Sequence, residues 1–333
     1  MRSYRGVPLL KSFLGVLGLA SLFLLYRRVR EAVRSLGTIG IAARSSFGFS
    51  VAQKLLVQNG AITALTSSPQ QDERLSVSGA LIAPSLEFLY ASCDTVLLVL
   101  NSEAEVSEAV SALKRGSRTS LIVAMSAVSP TLSTKLWAAC EARGCSFVCC
   151  LIAGCDEHAA IQADLAWISS DRVEVARAVR AQLCPAFCSR AEIVSSRDVS
   201  AAPTLKLISD FVVFGSLELI AEAATLSQQS GQDRETVSSL LDAIAPNTYL
   251  SSLGEFVRDR CEESSAGLRL DTLAERVDRI KELSPRVSFP VLDALLAHAA
   301  GAQERLGQKS SEVQATAAIA DQVGRSLSLF RQV

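Results

Sequence analysis

"TIGIAARSSFGFSVAQKLLVQNG", Thr38 to Gly60, is the stretch on which the fold turns. A short apolar run is followed by small and polar residues, then by helix-spaced apolar positions closing on a glycine. That order spells strand, tight turn and helix. A dinucleotide-binding turn of this kind wants three glycines. The first permits the turn, the second lets backbone approach a pyrophosphate, and the third lets helix and strand pack closely. Here those positions hold Ala43, Ser45 and Gly48. Ala43 gives up φ freedom, Ser45 puts a side chain where the pyrophosphate would sit, although its hydroxyl could donate to it, and Gly48 keeps the close packing. Taken alone, this AxSxxG turn serves a structural βα unit as well as it serves a binding site.

Beyond Gly60 the same rhythm repeats. "AITALTS" reads as a strand, "DTVLLVLN" (Asp94–Asn101) as a strand buried on both faces, and "TSLIVAMS" (Thr119–Ser126) as another. "SPTLSTKLWAACEARG" reads as a helix with Ser129 at its N-cap, Pro130 at its first position and Gly144 at its end. "CSFVCCLI" is a further strand. Alternating strands and helices imply βαβ units, hence a parallel sheet with helices on both faces and ligands at the strands' carboxyl ends. From Pro203 the pattern changes to helix alone. "PTLKLISDFVVFGSLELIAEAATLSQQSG" is one long apolar helix closed by Gly231. "DRETVSSLLDAIA", with Asp233 as N-cap, follows it, and then "YLSSLGEFVRDRC", "RLDTLAERVDRIKEL" and "FPVLDALLAHAAGAQERLG".

With 333 residues, 49% hydrophobic and 20% charged, the chain can build two domains with real cores and does not read as disordered. Its net charge of −1 conceals an asymmetry. Residues 1–36 carry seven basic side chains against one acid, Glu31, which leaves 26 basic and 33 acidic residues, net −7, in the remainder. An acidic body argues against nucleic acid as the main partner. The nine cysteines form no paired CxxC sets, and Cys155 with His158 is a CxxH fragment lacking a second half. No metal site is expected, and the thiols read as buried and reduced.

"SFLGVLGLASLFLLY", Ser12 to Tyr26, extended back through "VPLL", approaches bilayer length, at roughly 1.5 Å per residue. Arg27, Arg28, Arg30 and Arg34 follow directly. A signal-anchor helix over residues 7–26 heads the readings, its basic flank staying in the cytosol or matrix. A mitochondrial presequence comes second, and a cleaved secretory signal or a buried helix last.

Read in series, these segments resemble the β-hydroxyacid dehydrogenase family, which includes 3-hydroxyisobutyrate dehydrogenase and is related to 6-phosphogluconate dehydrogenases and imine reductases. "IGIAARSSFGFSVAQKLL" is similar to the family's "IGFIGLGxMGxxMAxNL", "ITALTSSP" to "VTVYNRTP", and "VLLVLNSEAEV" to "VITMLPDDAAV". "AMSAVSP" stands for "DMSTISP", "FVCCLIAGC" for "FLDAPVSGG", and "LKLISDF" for "AKLxNNx". The series keeps its order over about residues 38 to 325. The resemblance implies a Rossmann-type doubly wound parallel sheet followed by an all-α C-terminal domain, with the hydrophobic N-terminal helix added in front. The domains are then 1–36 (anchor or targeting segment), 37–200 (dinucleotide-binding) and 201–333 (helical). It also implies a homodimer and a small-molecule substrate, while the N-terminal segment implies a membrane-anchored protein with its body in the cytosol, or a mitochondrial one.

The resemblance further names site residues. Cofactor contacts fall on Ala43, Ser45, Phe47, Gly48, Thr66, Ser67, Leu100 and Asn101. Substrate contacts fall on Ser126 and on Ala153-Gly154-Cys155, where the family has "SGG". Lys206 takes the place of the family's catalytic lysine, which bonds the substrate oxygen and moves a proton. Its apolar neighbours fit that role, because desolvation favours release of a proton, although a lysine snorkelling from the helix looks the same in sequence. Asp210, where the family has asparagine, shares a helix face with Lys206 and would hold it protonated as a general acid, or serve as a plain ion-pair partner. The family's "GAG" turn has become Ser200-Ala201-Ala202, and its "KD" pair has become Glu275-Arg276. Thr66-Ser67-Ser68 offers no acid for ribose hydroxyls, which tilts the cofactor from NAD towards NADP. Two functions follow: an NAD(P)-dependent oxidoreductase acting on a small hydroxy acid, carbonyl or imine, or the same fold without turnover as a membrane-associated binding or scaffold protein.

Overall fold

The computed structural model describes residues 36–152, 163–232, 234–246, 270–306, 319, 322 and 323. The segment over residues 7–26, the helix expected at "YLSSLGEFVRDRC", the Asp233 cap and the Ala153-Gly154-Cys155 turn lie outside them. Among the described residues no helix is long and apolar enough to cross a membrane.

The opening stretch forms β1 (Ile39–Ala43) and α1 (Ser46–Asn59). Ser45 caps α1 by accepting from the Gly48 N–H at 2.9 Å, and Gly60 closes it in the left-handed conformation (φ 73°) that a side chain would resist. The chain continues through β2 (Thr63–Thr66), α2 (Pro69–Val77), β3 (Leu81–Ile82), α3 (Leu86–Ser92), β4 (Thr95–Val99), α4 (Glu103–Ala112) and β5 (Leu121–Ala124). Then come α5 (Pro130–Glu141), β6 (Ser146–Ile152), β7 (Ala163–Ser170), α6 (Val173–Gln182), α7 (Cys184–Phe187) and β8 (Cys188–Ser195). As the sequence predicts, Ser129 caps α5 and Pro130 opens it, while Gly144 (φ 79°) turns the chain beyond it.

The strands form one sheet in the order β3-β2-β1-β4-β5-β6-β7-β8. It is not parallel throughout, as expected from sequence: β7 runs antiparallel to β6, so the sheet is mixed. The parallel strands β1, β4, β5 and β6 are buried at every residue, as strands covered on both faces must be. Their side chains divide between two cores. Ile41, Leu97, Val148 and Cys150 enter one, and Ala42, Leu98, Phe147 and Cys149 the other. The cysteines are part of this packing, and the seven described are free and buried. The Cys149 thiol is pushed up by burial, which keeps it an inert apolar side chain.

The helical part begins with α8 (Ala201–Gln229) and continues through α9 (Arg234–Ile244), α10 (Leu270–Glu282) and α11 (Pro290–Leu306). With 29 residues, α8 is about 43 Å long. It buries Phe214, Leu217, Ala221 and Ala224 against a stripe on α10 (Leu270, Leu273, Val277, Ile280) and another on α11 (Leu292, Leu295, Ala299). Its first turn instead joins the sheet: Ala202 lies in the second core, and its N–H donates to Ser169 Oγ at 3.1 Å. One rigid element therefore belongs to both domains and sets α10 opposite the carboxyl ends of the strands.

Candidate active site

A cleft opens where the strand order reverses, between β1 and β4. This is the place where doubly wound sheets take ligands. Its sheet side consists of Ser45, Ser46 and Phe47 after β1, Val99, Leu100 and Asn101 after β4, and Met125, Ser126 and Ala127 after β5. Its other side is α10, through Glu275, Arg276 and Arg279.

The altered glycine turn keeps its backbone geometry. Ala43 is the last residue of β1, in register with Thr66 and Val99, and the next N–H, of Arg44, donates to Val99 O at 3.0 Å. The strand runs straight through this position, so no φ beyond a strand's is asked of Ala43. Its methyl group is felt instead at Gly48. A Cβ on Gly48 would lie 3.0 Å from Ala43 Cα and 3.1 Å from both Ala43 Cβ and Val99 Cβ. Ala43 thus makes the glycine at 48 harder to replace. Ser45 spends an acceptor lone pair on the helix cap and retains its O–H as a donor. The first N–H groups of α1 have no partner inside the helix, so Ser46 and Phe47 face the cleft with donors and the positive end of a helix dipole. This donor set fits a pyrophosphate, with Ser45 as an added donor rather than an obstruction.

The remaining predicted contacts separate into three groups. Leu100 and Asn101 line the cleft, and Asn101 Nδ2 donates to Arg44 O at 3.3 Å, which ties the two loops together. Ser126 also lines it, yet its hydroxyl accepts from the Leu100 N–H at 2.7 Å and donates to Leu98 O at 3.3 Å. The fold commits that hydroxyl to bracing the end of β4, a use that sequence alone does not reveal. Thr66 lies at the end of β2, its hydroxyl 2.7 Å from Asp72 Oδ1, and Ser67 beside it is exposed. The expectation of no nearby acid holds for residues 66–68 and fails in three dimensions, because the first turn of α2 brings Asp72 there.

Across the cleft, Lys206 is 2% exposed and its Nζ donates to Asp210 Oδ1 at 2.8 Å. Arg276 Nη2 reaches the other oxygen of Asp210 at 3.3 Å, and its guanidinium lies over the Phe214 ring, 5.2 Å from the centroid. A buried carboxylate so placed bridges a buried lysine to an arginine that lines the cleft. The trio carries a formal charge of +1, a setting that suits an anionic group. Neither Lys206 nor Asp210 is itself among the cleft-lining residues. Arg276 takes the position of the family's "KD" aspartate, so a cation now stands where the resemblance places an acid. Arg279, one turn further on α10, was not anticipated. Its Nε lies 3.9 Å from Glu103 Oε1, and Glu103 accepts from the Ser129 N–H, so this arginine ties the helical domain to α4 and α5. Its spacing of three residues from Arg276, which sets the two side by side on the helix, was the available signal.

Residues 35–183 match the family model described as the NAD binding domain of 6-phosphogluconate dehydrogenase, a little under half of the chain. Over these residues the chain is similar to that NAD-binding domain. Solved structures agree on the fold over most of the chain's length. It is similar to 3-hydroxyisobutyrate dehydrogenase (ygbJ) from Salmonella typhimurium, with 17% identity and TM-score 0.70, over 85% of this chain and 99% of that one. For Mycobacterium tuberculosis 3-hydroxyisobutyrate dehydrogenase with L-serine the values are 15%, 0.68, 86% and 99%. For the imine reductase from Myxococcus stipitatus in complex with NADP+ they are 16%, 0.55, 84% and 98%. A search of the curated proteins found no match.

Proposed function

We propose that the protein is a member of the β-hydroxyacid dehydrogenase family and an NAD(P)-dependent oxidoreductase, acting on a small hydroxy acid or a related carbonyl or imine. The observation that carries the reading is the cleft itself, which sets the donors of an NAD-binding domain's first helix opposite the Asp210-linked arginine of the helical domain. The bound nicotinamide would supply hydride exchange. The chain's own part is to hold phosphates on the Ser45–Phe47 turn and to close the cleft from α10. Lys206 then gives or takes the proton at the substrate oxygen or nitrogen. Asp210 holds Nζ in place and favours the ammonium form, which suits a proton donor in the reducing direction.

One observation favours the competing reading, a dinucleotide-binding protein without turnover. Lys206 is sealed and ion-paired, so a substrate must displace part of that pairing to reach Nζ. The two readings separate when thermal stability of the full-length chain is followed with NADH or NADPH and turnover is then assayed on small hydroxy acids, ketones and imines. A ligand at 100-fold excess over its Kd stabilises by about 2.7 kcal/mol. Stabilisation with turnover supports the enzyme, stabilisation without it the binding protein, and no stabilisation sinks both.

We also assign a homodimer contact to the outer face of α8, where Ile208, Val212, Leu219 and Leu226 stand exposed at helical spacing. Light scattering on the full-length chain tests it, and a monomer mass rejects it. Attachment to a membrane through residues 7–26, or delivery to mitochondria, rests on the sequence and is tested by fractionation of cells with and without those residues.

A further inference from the structure

The segment that follows β2 contains no acid until α2 begins, yet the fold places one at the end of the strand. Asp72 lies in the first turn of α2, and its Oδ1 accepts from Thr66 Oγ1 at 2.7 Å. Thr66 is the last residue of β2 and lies in register beside Ala43, the last of β1, from which the Ser45–Gly48 turn departs. In a doubly wound nucleotide-binding sheet this edge faces the adenosine ribose, and the group at the end of the second strand reads the 2′-position. A carboxylate there accepts from ribose hydroxyls and repels a phosphate on the same carbon. The cations that could offset it are turned elsewhere. Arg44 Nη1 lies 3.9 Å from Glu105 Oε2, and the Arg74 guanidinium stacks over the Phe49 ring at 4.9 Å.

We infer that Asp72 reads the 2′-position of the adenosine ribose and selects the dinucleotide without a 2′-phosphate, reversing the tilt that Thr66-Ser67-Ser68 alone suggests. The inference rests on the cofactor reading above. Titration of the full-length chain with NADH and with NADPH, followed by nicotinamide fluorescence, tests it. NADH is expected to bind at least about tenfold tighter, the effect of one like-charge contact in a partly screened setting. Asp72→Asn keeps a partner for Thr66 and removes the charge, so the ratio of the two dissociation constants falls towards one. Asp72→Ser gives the same direction should the amide disturb the turn. Tighter binding of NADPH by the wild type, as when Arg44 swings to a 2′-phosphate, overturns the inference, and so does a ratio unchanged in both variants. Binding of neither cofactor brings down the cofactor reading and Asp72's role with it. Binding of both without discrimination removes Asp72 alone.

Discussion

The two walls of the cleft differ from the motifs they resemble in different ways. On the sheet side two of the three turn positions lack glycine, and the strand and the capped helix are formed all the same. Ala43 continues a strand, Ser45 caps a helix, and the donors that face the cleft belong to the backbone of α1. On the helical side Lys206, Asp210 and Arg276 stand where the resemblance places a lysine, an asparagine and an aspartate, and the three are joined in one ion-paired chain. A site built from main-chain N–H groups tolerates side-chain drift as long as the strand, turn and helix keep their places. A site built from side-chain charge changes its chemistry with each substitution.

That contrast is open to direct attack. The largest effect belongs to Lys206→Ala, which should lower turnover by about 10²–10⁴-fold, the usual contribution of a positioned proton-transfer group. Cofactor-induced stabilisation should survive it, because no sheet-side donor is lost, and unchanged kcat would remove Lys206 from the mechanism. Gly48→Ala strikes the other wall. Its methyl would meet backbone at 3.0 Å, so stability should fall by about 1–3 kcal/mol in urea melts, and cofactor affinity should fall with it as α1 shifts. Smaller still is Ser45→Ala, which removes the cap on Gly48 N–H and should cost about 1 kcal/mol of stability. If the turn binds phosphate mainly through backbone, that variant weakens cofactor binding only a few-fold, and complete loss would make the hydroxyl the essential donor.

The smallest effect is a control at the amino ends of the same strands, away from the cleft. Asp94 takes two hydrogen bonds from Arg118, at 3.0 and 3.1 Å, and others from Thr38, which hold its carboxyl well below the usual carboxylate range. A depressed carboxylate adds stability above its unfolded-state pKa and loses it as pH falls towards the folded-state value. Melts of wild type and Asp94→Asn should therefore differ modestly at neutral pH and converge in acid, with cofactor binding equal at neutral pH. A cofactor defect in this variant would show that the two ends of these strands are coupled.

The order of strand, turn and helix was legible in the first domain wherever burial on both faces wrote continuous apolar runs, as in β1, β4, β5 and β6. It was not legible in α2, whose "PQQDERLSV" buries only Leu75, nor in β8, where Ser189 and Arg190 are exposed and no clean alternation forms. The reversal of β7 had no local signal, because strand direction depends on how the preceding chain returns to the sheet. Lys206 and Asp210 could be named from the resemblance, and Gly48 from the turn pattern. The second use of Ser126, the tie from Arg279 to Glu103 and the approach of Asp72 to Thr66 could not.

By itself, then, the sequence determined the class of the fold and the order of its elements, because both are recorded in local pattern: apolar periodicity, turn residues and motif order. Tertiary structure decided which charges meet. Asp210 and Arg276 are 66 residues apart. The pairing of a carboxylate with one cation or two follows from where helices cross, and no local pattern in the chain records that crossing.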